Sequence, residues 1–237
     1  MRAAGIVVPV HDEEQWLARC LAAIDVAAQA AAIPVHLVLV LDACTDRSGE
    51  IAAAAAPEHL ASTSVVAMRR RCVGAARALG CQTLLDRHGP DGLWLATTDA
   101  DSTVGASWLT RSLAYAHAGY DAVAGTVIID DWSPGEDELA AAYRAGYEQR
   151  WGHRHVHGAN LAVTAPAYVE VGGFPALPCH EDVALVDALT AAGRAIAWAD
   201  DVPVVTSSRR HGRTPGGLSG YLLDLNATGP EALPQGA

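Results

Sequence analysis

Lysine does not occur in this chain: the 16 basic residues are all arginine, set against 27 acidic ones, for a net charge of −11. Such a surface matches the phosphate backbone of nucleic acid poorly, because that backbone rewards clustered Lys and Arg. The longest basic cluster, Arg69-Arg70-Arg71, does not reverse the balance. Cysteine is scarce too. Five cysteines, an odd number without regular spacing, fit no disulfide framework and point to a reducing compartment. No apolar run approaches the roughly 20 residues that a membrane-spanning helix needs. The opening MRAAGIVVPVHDEE turns acidic after a few apolar residues and has no signal-peptide cleavage pattern. A soluble cytoplasmic protein is expected, with no nucleic-acid partner and no integral membrane segment. Two phosphate-binding signatures are missing as well. No G-x-G-x-x-G follows the first apolar run, and no G-x-x-x-x-G-K-[ST] occurs anywhere, so dinucleotide and P-loop sites have no support.

What the chain does have is a 51% hydrophobic composition over 237 residues, enough for a full core. Short β-branched runs alternate with alanine-rich stretches. GIVVPV (5–10) and VHLVLVLD (35–42) read as buried strands, with a helix over 13–31 between them opened by Asp12 as its cap. A second helix follows Asp46. A strand over 64–67, a helix over 73–87, the strand LWLATT, a helix over 106–118 and the strand DAVAGTVII complete this half. The alternation predicts an α/β fold with a mainly parallel central sheet and helices on both faces. After Asp130 come the loop DWSPGEDE, the helix ELAAAYRAGYEQRW, the connection GHRHVHG and the strand GANLAVTA. An amphipathic helix, EDVALVDALTAAGR, and two short strands, AIAWAD and VPVVTS, follow. One domain over 1–215 is expected, with its halves meeting near residues 103–104. Gly and Pro density predicts a flexible tail over 216–237.

In open α/β sheets, ligands bind at the carboxyl ends of the strands. Here those ends carry Pro9-Val10-His11-Asp12-Glu13, Asp42-Ala43-Cys44-Thr45-Asp46, the Arg69–Gly74 turn and Asp99-Ala100-Asp101. Asp99 and Asp101 stand two apart at the end of an apolar run, so on a strand both carboxylates would point one way. They could converge on a divalent cation, a sugar hydroxyl or the N-terminus of the next helix.

Six stretches, VVPVHDEEQWLARCLAAI, LVLDACTDRSGEIA, RRRCVGAARALG, WLATTDADS, HGANLAVTAPAYVEVGGF and HEDVALVDAL, together resemble the family 2 glycosyltransferases, in that family's order. The resemblance implies the GT-A (Rossmann-like) fold, with residues 1–103 as the nucleotide-sugar half and 104–215 as the acceptor half. It also implies a metal-dependent transfer of a sugar from a nucleoside-diphosphate sugar (UDP-, GDP- or dTDP-linked) to a hydroxyl acceptor. By the same resemblance Asp101 holds Mn²⁺ or Mg²⁺, and Asp99 holds the ribose, or the metal through water, with Ala100 between them. His211 completes the metal shell. Asp42 accepts the base N–H in a cleft lined by Pro9, His11 and Glu13. Arg71 or Arg69 meets the phosphates, Gly74 permits close backbone approach, and Arg209, Arg210 and Arg213 grip the diphosphate. Asp182 is the implied base toward the acceptor. Glu181 positions acceptor hydroxyls, and His157, in the His153-x-His155-x-His157 stretch, lies near the acceptor. Leu41 and Ala78 depart from the family pattern, where an acid and an Asn are usual. A nucleotidyltransferase and a non-catalytic nucleotide-sugar-binding subunit are the alternatives. A lysine-bearing loop after the first strand, usual in the former, is missing here. The acceptor is expected to be small or soluble, and a homodimer is allowed.

Overall fold

The computed structural model describes residues 1–55, 57–132, 135–147, 150–209, 220, 222 and 225. In chain order its elements are β1 (Ala3–Val10), α1 (Leu17–Gln29), β2 (Val35–Asp42), α2 (Ser48–Ala54), β3 (Ser62–Met68), α3 (Val73–His88), β4 (Leu93–Thr97) and β5 (Thr103–Val104). Then follow α4 (Trp108–His117), β6 (Ala122–Ile129), α5 (Asp137–Gly146), β7 (Leu161–Thr164), α6 (Ala165–Glu170), α7 (Glu181–Ala191) and β8 (Ile196–Thr206). Among the described residues one eight-stranded sheet runs in the order β3-β2-β1-β4-β7-β6-β8-β5. No helix among them is long and apolar enough to cross a membrane.

The strand period of two sorts the core into two faces. Ala4, Ile6, Val8 and Val10 of β1 join Leu37 and Leu39 of β2 in one cluster, packed against Leu17 and Ile24 of α1 and Leu109 of α4. Val7, Val38 and Val40 point the other way, onto Ala76, Cys81 and Leu84 of α3 and Leu185 and Leu189 of α7. Helices therefore cover both faces, as the continuous apolar strands required. Pro9 is tolerated in an inner strand because β4 pairs with β1 only as far as Val7.

Several expectations are corrected. α1 begins at Leu17, not after Asp12; Asp12 has φ 53° and its carboxylate accepts the backbone N–H of Thr45 (2.6 Å) and Asp46 (3.2 Å), so it ties two loops together instead of capping. The two short late strands form the single strand β8, with a register irregularity opposite Gly125 and Val127 of β6 that absorbs the Asp200-Asp201 step. The mainly parallel sheet is as expected; its antiparallel pairs are β7 with β4 and β6, and β5 with β8. Burial on both faces gives β7 the composition of a parallel strand whatever its direction. Gly158–Asn160 form a 3₁₀ turn ahead of it. α5 ends at Gly146. Leu222 and Leu225, from the expected tail, are buried against Val127, Ile129 and Tyr143. Apart from Gly220, the rest of 216–237 lies outside the described residues.

Candidate functional site

The sheet order reverses between β1 and β4, and the loops leaving these strands in opposite senses open a crevice at their carboxyl ends. The 99–101 pair sits there, but not on a strand. β4 stops at Thr97, and Asp99-Ala100-Asp101 form a turn closed by the Ser102 N–H donating to the Asp99 carbonyl at 3.0 Å. Ala100 drops into the core, leaving its backbone at the cleft. Ser102 Oγ donates to Thr206 Oγ1 (3.0 Å), stitching the turn to the end of β8. Beyond that end, Arg209 reaches back with Nη2 2.7 Å from Asp101 Oδ2. The same guanidinium forks onto Glu13, with Nη1 2.9 Å from Oε2 and Nη2 2.8 Å from Oε1. Burial, together with Asp99 and Glu13, pushes the Asp101 carboxyl up to about 6 against the pull of Arg209.

A second guanidinium organises the other side, and the sequence reading missed it. Arg77 of α3 is buried; Nη2 donates to Asp99 Oδ1 at 2.5 Å and Nη1 donates to Glu181 Oε1. The path is made by small residues. A Cβ on Gly74, one helical turn earlier, would meet the Leu177 carbonyl oxygen at 2.7 Å and Glu181 Cβ at 2.9 Å, so its absence lets α3 dock on the 175–181 segment. A Cβ on Gly158 would overlap the Arg77 guanidinium itself. The available signal was a lone arginine within the small apolar run GAARALG, three residues after Gly74.

Asp182, next to buried Glu181, is only partly buried. Its carboxylate is held by two backbone donors, the Gly158 N–H on Oδ2 (2.6 Å) and the Val183 N–H on Oδ1 (2.9 Å). His157 is buried rather than facing the cleft: its Nε2 lies 2.9 Å from Tyr147 Oη, which also accepts the Val127 N–H at 3.0 Å. Burial, with His155 and His153 nearby, takes its pKa down to about 3. Its link to the site is the backbone of the next residue. Asn160, also missed, cross-links the floor: Nδ2 donates to the Thr126 (2.8 Å) and Val202 (2.7 Å) carbonyls, and Oδ1 accepts Trp108 Nε1–H (2.9 Å).

At the β2 end, Asp42 is buried and its carboxylate accepts the N–H groups of Arg70 (2.7 Å), Arg71 (2.9 Å) and Cys72 (2.7 Å). It thereby fixes the turn that leaves the Arg69, Arg70 and Arg71 side chains exposed. His11 Nδ1 donates to the Asp42 carbonyl at 2.6 Å, which joins the β1 and β2 loops. Pro9 is partly buried beside them. The close approach at Gly74 is to protein backbone. His211, Arg210 and Arg213 lie outside the described residues.

The donor chemistry suits a hard dication. Four carboxylates (Glu13, Asp99, Asp101, Glu181) share two guanidiniums, leaving negative charge at the cleft, and hard oxygens are what Mg²⁺ and Mn²⁺ take. Asp12, Cys44 and Asp46 form another group at the rim whose ligand atoms lie within 4.8 Å of one another. Its carboxylates are already engaged by the backbone N–H groups of Thr45, Glu14 and Ser48, which makes it the poorer place.

The sequence model described as glycosyl transferase family 2 matches residues 5–168 of the 237. Comparison with curated proteins gives no match. The fold is similar to S. aureus TarS 1–349 in complex with UDP-GlcNAc (TM-score 0.67, 14% identity, covering 92% of this chain and 61% of that one). It is also similar to the mannosyltransferase PcManGT of Pyrobaculum calidifontis in complex with GDP-Man and Mn²⁺ (TM-score 0.65, 19% identity, 90% and 58% covered). A mycobacterial protein is similar at TM-score 0.54 and 16% identity, with 87% and 65% covered. The chain therefore spans less than two thirds of the length of each of these structures.

Proposed function

Because the chain belongs to glycosyl transferase family 2, we propose that it moves a sugar from a nucleoside-diphosphate sugar to a hydroxyl of a small or soluble acceptor, with a divalent cation. One observation carries this reading: two acidic pairs, Asp99/Asp101 and Glu181/Asp182, meet across the β1/β4 crevice with buried Arg77 bonded to one acid of each.

Asp101 would hold the cation, with Asp99 holding the ribose or the cation through water, and the cation would supply Lewis acidity to offset the charge that grows on the departing diphosphate. His211 stays a proposed further ligand. Asp42, after its three backbone bonds, keeps a carboxylate lone pair for a base N–H at the mouth formed with Pro9, His11 and Glu13. Arg71, exposed in the turn that Asp42 fixes, meets the phosphates. Asp182 takes the proton of the acceptor hydroxyl while that oxygen bonds to the anomeric carbon. The bond from that carbon to the phosphate oxygen breaks, and its electron pair stays on the diphosphate. The two backbone donors on Asp182 aim the carboxylate for this work. Glu181, neutralised by Arg77, acts as a brace for the start of α7. His157 supports the acceptor side through the Gly158 backbone.

Calorimetric titration with UDP, GDP and dTDP, each with and without Mn²⁺, tests the reading on wild type and Asp101→Ala. The expected result is metal-dependent binding of one nucleotide, lost in the variant. Asp182→Asn keeps that binding while turnover falls by about 10²–10⁴. Binding of no nucleotide under any condition would sink the proposal.

A further inference from the structure

We propose that Arg209 is the resident counter-ion of the acid cleft: a divalent cation must displace it from Asp101, and the guanidinium, still beside Glu13, then pairs with the donor's diphosphate, so that cation and nucleotide bind cooperatively. This rests on the sugar-transfer reading and adds an order to the loading of its site.

The geometry is that of an occupied cation position. Arg209 presents both terminal nitrogens to Glu13 and places Nη2 on Asp101 Oδ2 as well, so two carboxylates share one nitrogen. The Asp101 side chain is 10% exposed, and its other oxygen has the Ser102 hydroxyl 3.4 Å away. Arg209 thus already neutralises the carboxylate that a dication would take, and a cation on Asp101 competes with the guanidinium for the same negative charge. Glu13 is buried, so it needs a cation of some kind beside it. Arg209 itself is 29% exposed at the end of β8, one side open to the cleft, and can swing out without unpacking the core.

The charges then dictate the coupling. A cation arriving alone must break the bond of Arg209 to Asp101 and sit beside a guanidinium that keeps only Glu13. A cation arriving with a diphosphate supplies a new anionic partner. Metal affinity in the wild type should therefore be low without nucleotide and higher with it.

The test is titration of Mn²⁺ alone, then Mn²⁺ with the nucleotide that the wild type binds, on wild type, Arg209→Ala, Arg209→Gln and Arg19→Ala, with free Mn²⁺ followed by electron paramagnetic resonance. Arg19 and Asp101 both line a small cavity with Trp16 and Thr206, so removal of Arg19 controls for the bare loss of one nearby charge. The expected result is that Arg209→Ala and Arg209→Gln bind Mn²⁺ alone about tenfold more tightly than wild type, while the strengthening by nucleotide shrinks by a similar factor. Arg19→Ala should shift the affinity much less. Arg209→Gln keeps the stem in place if the alanine variant unfolds. Wild-type affinity for Mn²⁺ alone in both Arg209 variants, or an equal gain in Arg19→Ala, would overturn the exchange while leaving sugar transfer standing. Failure of the wild type to bind any nucleotide would remove the underlying reading instead.

Discussion

Replacing Arg77 by methionine keeps most of the side-chain volume and removes the guanidinium from between Asp99 and Glu181. The two ends differ in environment. The Glu181 side chain is 3% exposed and loses its cation in a place water cannot reach, whereas Asp99 is 36% exposed and is resolvated. An orphaned buried charge costs about 3–5 kcal/mol, and the exposed end adds about 0–1 kcal/mol. Against a typical total stability of about 5–15 kcal/mol the loss is large. For a chain of this size it corresponds to a fall in Tm of roughly 6–24 °C. The decisive variant is the double replacement Arg77→Met with Glu181→Met. With both buried partners apolar, no charge is left stranded, and stability should return to within about 1–2 kcal/mol of wild type. Urea unfolding of wild type, both single variants and the double variant closes the cycle. A double variant as unstable as the sum of the singles would refute the claim that Arg77 is there to neutralise Glu181.

Gly158→Ala should lose about 1–3 kcal/mol through overlap with the Arg77 guanidinium. Thermal melts should show much of that loss relieved in the Arg77→Met background, and an unrelieved loss would point to another cause. Asn160→Ala leaves the Trp108 N–H and the Thr126 and Val202 carbonyls unmatched, for a cost on the order of 3 kcal/mol by denaturant titration; a cost below about 1 kcal/mol would mean water replaces the amide. His157, with its pKa taken down to about 3 from 6.5, stays neutral when folded and takes up a proton when unfolded. Its contribution is thus complete above pH 6.5 and drains away as pH falls toward 3. Between pH 6.5 and 4.5 that drain is about 2 kcal/mol, so His157→Gln should lose less stability than wild type over this interval. Parallel curves would show that His157 is protonated in the fold.

Most of the first half was readable because β1, β2 and β4 are buried on both faces. Runs such as VHLVLVLD leave no other arrangement, and β2 spans the residues expected. Helix starts were less legible. Asp12 has the composition of a cap, but its carboxylate serves Thr45 and Asp46 across a loop, a partner choice that local sequence does not encode. The late strands misled for a similar reason: Asp200-Asp201 reads as a turn, yet the bulge against β6 carries it within β8. At the site, chain order brought out Asp99, Asp101, Glu181 and Asp182 as two separate acidic pairs. It gave no sign that Arg77 joins them, because salt-bridge partners 22 and 104 residues away leave no local pattern.

Sequence alone determined the alternation of strands and helices, the two-faced core and the placing of acids at strand ends, since these follow from periodicities of two and of 3.6 and from short-range chemistry. Tertiary structure alone decided which charges meet. It threads Arg77 over the bare Cα of Gly158, and it brings Arg209 back from the end of β8 onto Asp101 and Glu13. Burial within the fold, not composition, makes these arginines the partners of those carboxylates.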